Sequence, residues 1–168
     1  MRKVQVENRV FMRKSTRLSD AVHLLAFVQI VRDVHTRKGA DPAPLLSSTA
    51  IARSIHTNPT YVRQLMSCMR KAGLLHSMQG QAKPSLARSA TAISLLDIYR
   101  AVLGESPLLV LDTHINPLCH VGVGIQESLG EAYLCVQRKA EACMADISLA
   151  DIIERFYAKL GNNMTLPL

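Results

Sequence analysis

Asn58-Pro59-Thr60-Tyr61-Val62-Arg63-Gln64 is the stretch whose residue types and spacing are most suited to chemistry. Asn is a strong helix N-cap, and Pro suits the first helical position, where its missing N–H is one of the orphan donors anyway. The helix so begun carries Thr60, Tyr61, Arg63 and Gln64 in its first turns. A guanidinium matches guanine O6 and N7, and a carboxamide matches adenine N6 and N7, so these types suit base edges in a major groove about 12 Å wide. Arg70 and Lys71, in the last turns, are cations of the kind that hold phosphate. Ser48, Thr49 and Thr57 lie just upstream and add hydroxyl donors. Ser15 and Thr16 add two more at the expected start of an earlier helix, and Gln81 and Lys83 sit on a turn downstream. Helix N-termini supply free N–H groups and a positive dipole end to the same kind of anion.

The sulfur and imidazole groups suggest less. Cys119 precedes His120 at the expected start of a long helix, a position at which an oxidisable thiol is expected. It is a candidate redox sensor, although the plain reading, a small residue at a helix start, is the favoured one. Cys68, Cys135 and Cys143 are spread over other segments, Cys143 falling on an apolar stripe that suggests a core position. His114, Cys119 and His120 match no zinc pattern, so no metal site is expected. No Ser-His-Asp order, glycine-rich phosphate loop or His-Glu-x-x-His is present, and no enzyme is expected.

Charge points to one half of the chain. Residues 1–91 hold 15 Lys/Arg against 4 Asp/Glu, a net +11, whereas residues 92–168 hold 5 against 9, a net −4. A basic half joined to an acidic half suggests an anionic partner for the first alone, and double-stranded DNA is the leading candidate. Hydrophobic residues make up 48% of the 168, ordinary for a globular protein. No apolar run reaches the ~20 residues that span a bilayer, and no secretory signal pattern opens the chain. Four cysteines without paired spacings suit a reducing cytoplasm. Met12 is a second possible start, which would leave residues 1–11 as an extension.

The elements that must position these groups follow from periodicity. A first helix is expected from Arg17 to Val34, capped by Ser15 or Thr16, with Leu18, Val22, Leu25, Val28 and Val31 on its inner face. A short second helix fits Thr49–Ile55, and His56-Thr57-Asn58 is a tight turn. The third helix runs to about Ala72, turning Val62, Leu65, Met66 and Met69 inward, and Gly73 ends it. Two extended stretches, Leu75–Met78 and Ser85–Arg88, flank Gly80 and Pro84 and suggest a hairpin with a basic tip. A fourth helix fits Leu95–Leu103, with Ser94 and Asp97 as a capping box. From His120, a stripe of Val121, Ile125, Leu129, Ala132, Val136, Ala140, Cys143 and Ile147 repeats in steps of three and four. A helix of that length would be ~40 Å long, beyond the reach of one small domain, so its stripe calls for a second copy. The alternative is a break near Gly130 that folds the helix back within one chain. A last helix fits Leu149–Leu160 behind Ser148.

Short helix, tight turn, basic helix and basic hairpin make a winged helix-turn-helix. The fold class expected is mainly α with a small β-hairpin wing. The winged domain covers 13–104, a connection 105–118, and a dimerisation helix with a terminal helix 119–160.

The chain resembles the Rrf2 family of winged helix-turn-helix regulators over about residues 13–160. The likeness rests on Ser15-Thr16-Arg17-Leu18, Asn58-Pro59-Thr60-Tyr61-Val62-Arg63, Lys71-Ala72-Gly73-Leu74-Leu75 and Ile93-Ser94-Leu95-Leu96-Asp97-Ile98-Tyr99-Arg100. Asn116-Pro117-Leu118-Cys119 and Ser148-Leu149-Ala150-Asp151-Ile152 extend it. The resemblance implies a homodimeric DNA-binding regulator, usually a repressor of a palindromic operator, with the long helix pairing two subunits. Two departures stand out. The family's wing usually ends Gly-Gly-Tyr-x-Leu, and here Gly80-Gln81-Ala82-Lys83-Pro84-Ser85-Leu86 takes its place. Its iron–sulfur members set three close cysteines before the long helix, where this chain has Cys119 alone, so no iron–sulfur cluster or other cofactor is expected. Two alternatives stay open: a redox-responsive regulator sensing through Cys119, and a winged-helix protein-interaction module that binds no DNA.

Overall fold

The structure is a computed structural model that describes residues 2–77, 83–112 and 114–160, with side chains from residue 16 onward. Six α-helices and one two-stranded hairpin are present among them: α1 (Arg2–Lys38), α2 (Ser48–Ile55), α3 (Pro59–Lys71), β1 (Leu75–His76), β2 (Ser85–Leu86), α4 (Leu95–Leu103), α5 (His120–Asp146) and α6 (Leu149–Leu160).

α1 is the central post. Ala21, Leu24, Leu25, Val28 and Val31 are fully buried along it, and α2, α4, β2 and α6 all pack against it. It departs from the expected helix at both ends. It does not begin at Arg17 behind a Ser15 or Thr16 cap but runs through both positions from Arg2. No Gly or Pro interrupts residues 2–38, and a Ser-Thr pair without a breaker need not end a helix. It also continues past Val34 until Gly39, whose φ of +65° ends it.

The other boundaries agree closely with the sequence. Ser47 caps α2 by accepting from the Ala50 N–H at 3.2 Å, and Asn58 caps α3 by accepting from the Tyr61 N–H at 2.8 Å. β1 and β2 pair antiparallel, Leu75 against Leu86, but are two residues each, shorter than the expected stretches. Met78 and the wing tip, including Gly80 and Gln81, lie outside the described residues. Buried Pro84 anchors the returning strand, its carbonyl accepting from Arg32 of α1 at 3.3 Å.

The C-terminal region has two parts with different loyalties. α5 is one unbroken helix through Gly130, so the fold-back alternative falls away. One of its faces returns to its own chain: Met144 is buried, Arg100 pairs with Glu141 at 3.1 Å, and Gln137 accepts from the Leu108 N–H at 2.9 Å. The hydrogen bond from Gln137, then the Arg100 guanidinium, hold the Glu141 carboxyl below the usual range. A neighbouring face, about 100° round the helix, bears the apolar stripe and stays open, with Val121 71%, Ile125 58% and Val136 48% exposed. Cys143 lies exposed on that face, not in a core, because the stripe it belongs to is turned away from this chain's own residues.

α6 returns to the winged domain and contributes Leu149 and Ile153 to its core. The join is specific. Ser94 and Ser148 form an isolated antiparallel bridge, with Leu95 N–H donating to Ile147 O and Leu149 N–H to Ile93 O, both at 2.8 Å. Each serine opens a helix whose third residue is aspartate. Ser94 and Asp97 exchange hydrogen bonds at 3.0 Å, and Ser148 and Asp151 do so at 3.1 and 2.8 Å. Two capping boxes thus sit side by side.

Two outcomes are expected. Leu149→Ala should cost about 2–5 kcal/mol in urea unfolding, the range for emptying a packed leucine site; a loss of a few tenths would mean that α6 is not part of the core. The Ser148 hydroxyl and N–H lower the Asp151 pKa. A carboxyl lowered in the folded state contributes stability above its unfolded pKa, and that stability is lost as pH falls through the folded value. Stability should therefore fall more steeply below about pH 4 in the native chain than in Asp151→Asn, measured by urea unfolding at stepped pH.

Candidate nucleic-acid interface

α3 has two faces. Val62, Leu65 and Met69 are fully buried, with Met66 half-buried beside them. Thr60, Arg63, Gln64, Arg70 and Lys71 are all exposed on the other side. The separation follows from the 3.6-residue repeat, which puts 62, 65 and 69 on one stripe and 60, 63–64 and 70–71 on another.

The exposed face is held in place by contacts at the helix start. Arg63 Nη1 donates to Ser48 Oγ and Nη2 to Thr60 Oγ1, each at 3.2 Å. The guanidinium is thereby aimed by hydroxyls from two helices rather than left to sample rotamers. Tyr61, half-buried, donates from its hydroxyl to Asp20 of α1 at 3.0 Å, and Arg17 of α1 reaches Cys68 Sγ at 3.6 Å. α3 is thus tied to the central post near both its ends. The turn before it is closed by His56, at φ +60°, whose N–H and that of Thr57 return to Arg53 O and Ala52 O at 3.2 and 2.9 Å. This caps α2 and sets the angle at which α3 leaves.

Of the other expected contact residues, Thr49 is exposed at the start of α2, and Ser48 and Thr57 are half-buried beside the turn. Thr16 is exposed but lies within α1, where its carbonyl accepts from Ser19 Oγ at 2.7 Å, so it offers no helix-end donor. The Ser15 side chain and Gln81 lie outside the described residues. Lys83 is exposed and sits 3.7 Å from Asp41, an ion pair open enough to water to exchange for another anion. The structure therefore gathers Ser48, Thr49, Thr57, Asn58, Thr60, Tyr61, Arg63 and Gln64 into one surface, with Arg70 and Lys71 at the far end of α3. The sequence reading missed Asp20, Arg17 and Arg32, which position α3 and the wing. Nothing local marks them, since their partners are 41, 51 and 52 residues away.

Cys119 is the exposed N-cap of α5, its Sγ accepting from the Gly122 N–H at 3.4 Å.

The comparisons identify the family and agree with the fold. The Rrf2 family, described as "Iron-dependent Transcriptional regulator", matches residues 15–155. YwnA of Bacillus subtilis (strain 168), whose name places it among HTH-type transcriptional regulators, is 36% identical over 143 residues, covering 85% of this chain and 98% of its own. A solved structure described as a DNA binding protein is 34% identical, with a TM-score of 0.60 over 82% of this chain and 98% of that one. Staphylococcus aureus CymR shares the fold, at 19% identity and a TM-score of 0.55 over 83% of this chain and 96% of that one. The chain belongs to the Rrf2 family of transcriptional regulators, a family of winged-helix DNA-binding proteins and not of enzymes.

The iron in the family's description does not suit the residues of one chain. A cluster needs thiolates converging on one point. Cys135 and Cys143 lie 16 and 24 residues beyond Cys119 on the same straight helix, ~24 and ~36 Å along its axis. Among the described residues no group of three or more His, Cys, Asp or Glu is placed to hold a metal ion.

Asn58→Ala should lower stability by about 1 kcal/mol, since it removes the acceptor that satisfies the Tyr61 N–H at the head of α3. Chemical denaturation checks it, and an unchanged midpoint would show that another group caps the helix.

Proposed function

We propose that this protein is a cytoplasmic, sequence-specific repressor that binds a palindromic operator as a homodimer, without an iron–sulfur cluster. The observation that carries the reading is the exposed polar face of α3, with Arg63 aimed by Ser48 and Thr60 at the helix end nearest the bases in helix-turn-helix docking. Arg63 and Gln64 read base edges. Arg70, Lys71, Lys83 and the hydroxyls of Ser48, Thr49 and Thr57 hold phosphate. The net +11 of residues 1–91 supplies the long-range attraction.

Dimerisation runs through the open face of α5. Val121, Ile125, Leu129, Ala132, Val136 and Ala140 share that face. Three of them are large apolar groups about half or more exposed in a single chain, a pattern that monomers avoid. Gly124 and Ser128 lie beside them, in step with Ala132 of the stripe, and leave a shallow hollow of about 510 Å³, into which a second helix fits closely. Two α3 helices then meet successive major-groove segments ~34–36 Å apart.

Gel-shift and footprinting on genomic fragments, including the protein's own promoter region, test the reading across 50 to 200 mM salt. The expected result is tight binding to a few fragments, a palindrome under the footprint and a steep loss of affinity with salt. Absence of binding at every salt overturns it. Arg63→Ala should lose about 1–3 kcal/mol of discrimination between operator and random duplex. Lys83→Ala should weaken both alike and flatten the salt slope by about one unit. Equal losses on both duplexes for Arg63→Ala would remove it as a reader. Ile125→Glu should give a monomer in sedimentation; a dimer surviving that change would place the interface elsewhere.

A further inference from the structure

A cavity of about 710 Å³ lies on the side of α1 away from α3's exposed face, where the helix-turn-helix unit meets α6. Val22, Ala26 and Phe27 of α1, Leu95 of α4, and Ile152 and Phe156 of α6 supply apolar walls. Three polar side chains, all reached by solvent, interrupt them: Ser19 at the rim, and His23 Nε2 and Ser54 Oγ, 2.8 Å apart, joining α1 to the last turn of α2.

We propose that this cavity binds an uncharged, largely apolar small molecule through one hydroxyl, amine or carbonyl group at the His23–Ser54 pair, and that the bound molecule modulates DNA binding. The volume falls in the ~300–1,000 Å³ range of pockets that enclose small ligands, and apolar walls with a single polar handle are their usual composition. Burial lowers the His23 pKa, with Asp20 pulling the other way, so the ring meets its ligand neutral. A neutral imidazole and a hydroxyl together can donate and accept, and neither offers a charge to an ionic ligand.

A second copy of the chain is the competing occupant. The open face of α5 contributes no wall to the cavity, and the cavity's walls come from four helices of one chain. The pair is open to solvent, so the polar end of a small molecule would replace water there while its apolar body lies against the walls.

The link to DNA binding rests on the proposed function. Ser54 is two residues before His56, the residue that closes α2 and sets the departure of α3. A ligand that bonds to Ser54 draws on the same hydroxyl that ties α2 to α1, so occupancy and the α2–α3 angle are coupled.

The test uses the full chain and the uncharged fluorophore N-phenyl-1-naphthylamine. Saturable fluorescence enhancement with one probe per chain is expected. Ala26→Phe, which fills the cavity, and Ser19→Trp, which blocks its exposed rim without touching the core, should each weaken binding by at least about tenfold. Glu131→Gln, exposed on α5 and away from the cavity, should leave it unchanged. No saturable binding, binding indifferent to both cavity variants, or binding lost in Glu131→Gln would overturn the site. A change in oligomeric state with Ser19→Trp would assign the cavity to a second copy and overturn it equally. Saturating probe should shift duplex affinity in the native chain but not in Ser19→Trp. Probe binding without that shift overturns the regulatory half alone. Duplex binding absent with and without probe overturns the proposed function, while the probe titration still decides the site.

Discussion

The bridge between Ser94 and Ser148 is the constraint on which the rest of the architecture depends. Between those two residues the chain leaves the winged domain, runs the length of α5 and comes back. Each serine starts a helix, and each helix start is sealed by its own Ser-x-x-Asp pair. The two backbone bonds of the bridge before those helices fix α4 and α6 relative to each other. Leu149, fully buried one residue later, makes the junction hydrophobic as well as hydrogen-bonded. A full leucine burial is worth about 1.5–3 kcal/mol, more than a cap, but the bonds decide the register in which it is buried.

Fixing the far end of α5 decides what its faces can do. Its C-terminal part lies along α4 through Glu141 and Met144, so the helix cannot rotate about its own axis without breaking the Arg100 pair. The face with Val121, Ile125 and Val136 is therefore directed outward by the same contacts that hold the helix down. One amphipathic helix carries two separate faces: polar groups of Gln137 and Glu141 turned toward its own chain, and aliphatic groups left open to solvent. The usual arrangement in a single-domain protein is the reverse, with the aliphatic stripe inward.

This division explains what the sequence disclosed and what it withheld. α3, α4 and α6 were readable to within a residue or two because their starts are written locally: Asn58-Pro59, Ser94 with Asp97, and Ser148 with Asp151. The start of α1 was not readable, since Ser15 and Thr16 are good caps whose use depends on whether the preceding residues continue the helix, and here they do. Cys143 was placed in a core by its position on an apolar stripe, but periodicity reports only that a stripe exists and not which body covers it. In the interface, the exposed residues of α3 were legible from the repeat. Their positioning partners were not, because Tyr61–Asp20 and Arg17–Cys68 join points 41 and 51 residues apart, brought together only by the fold.

Those long-range ties give the interface its stiffness. A recognition surface gains affinity when its side chains are ordered before the partner arrives, because the ordering cost is then not charged to binding. Arg63 is ordered by Ser48 of α2 and Thr60 of its own helix, so its geometry depends on the angle between α2 and α3. That angle depends in turn on the turn at His56 and on the burial of Ile51 and Val62 in the common core. α1, the helix that receives Tyr61 and packs against the wing strand, is also the helix that forms the floor of the apolar cavity with α6. One buried post thus holds α3, the wing strand and the returning C-terminal helix, so the three share a single packing surface.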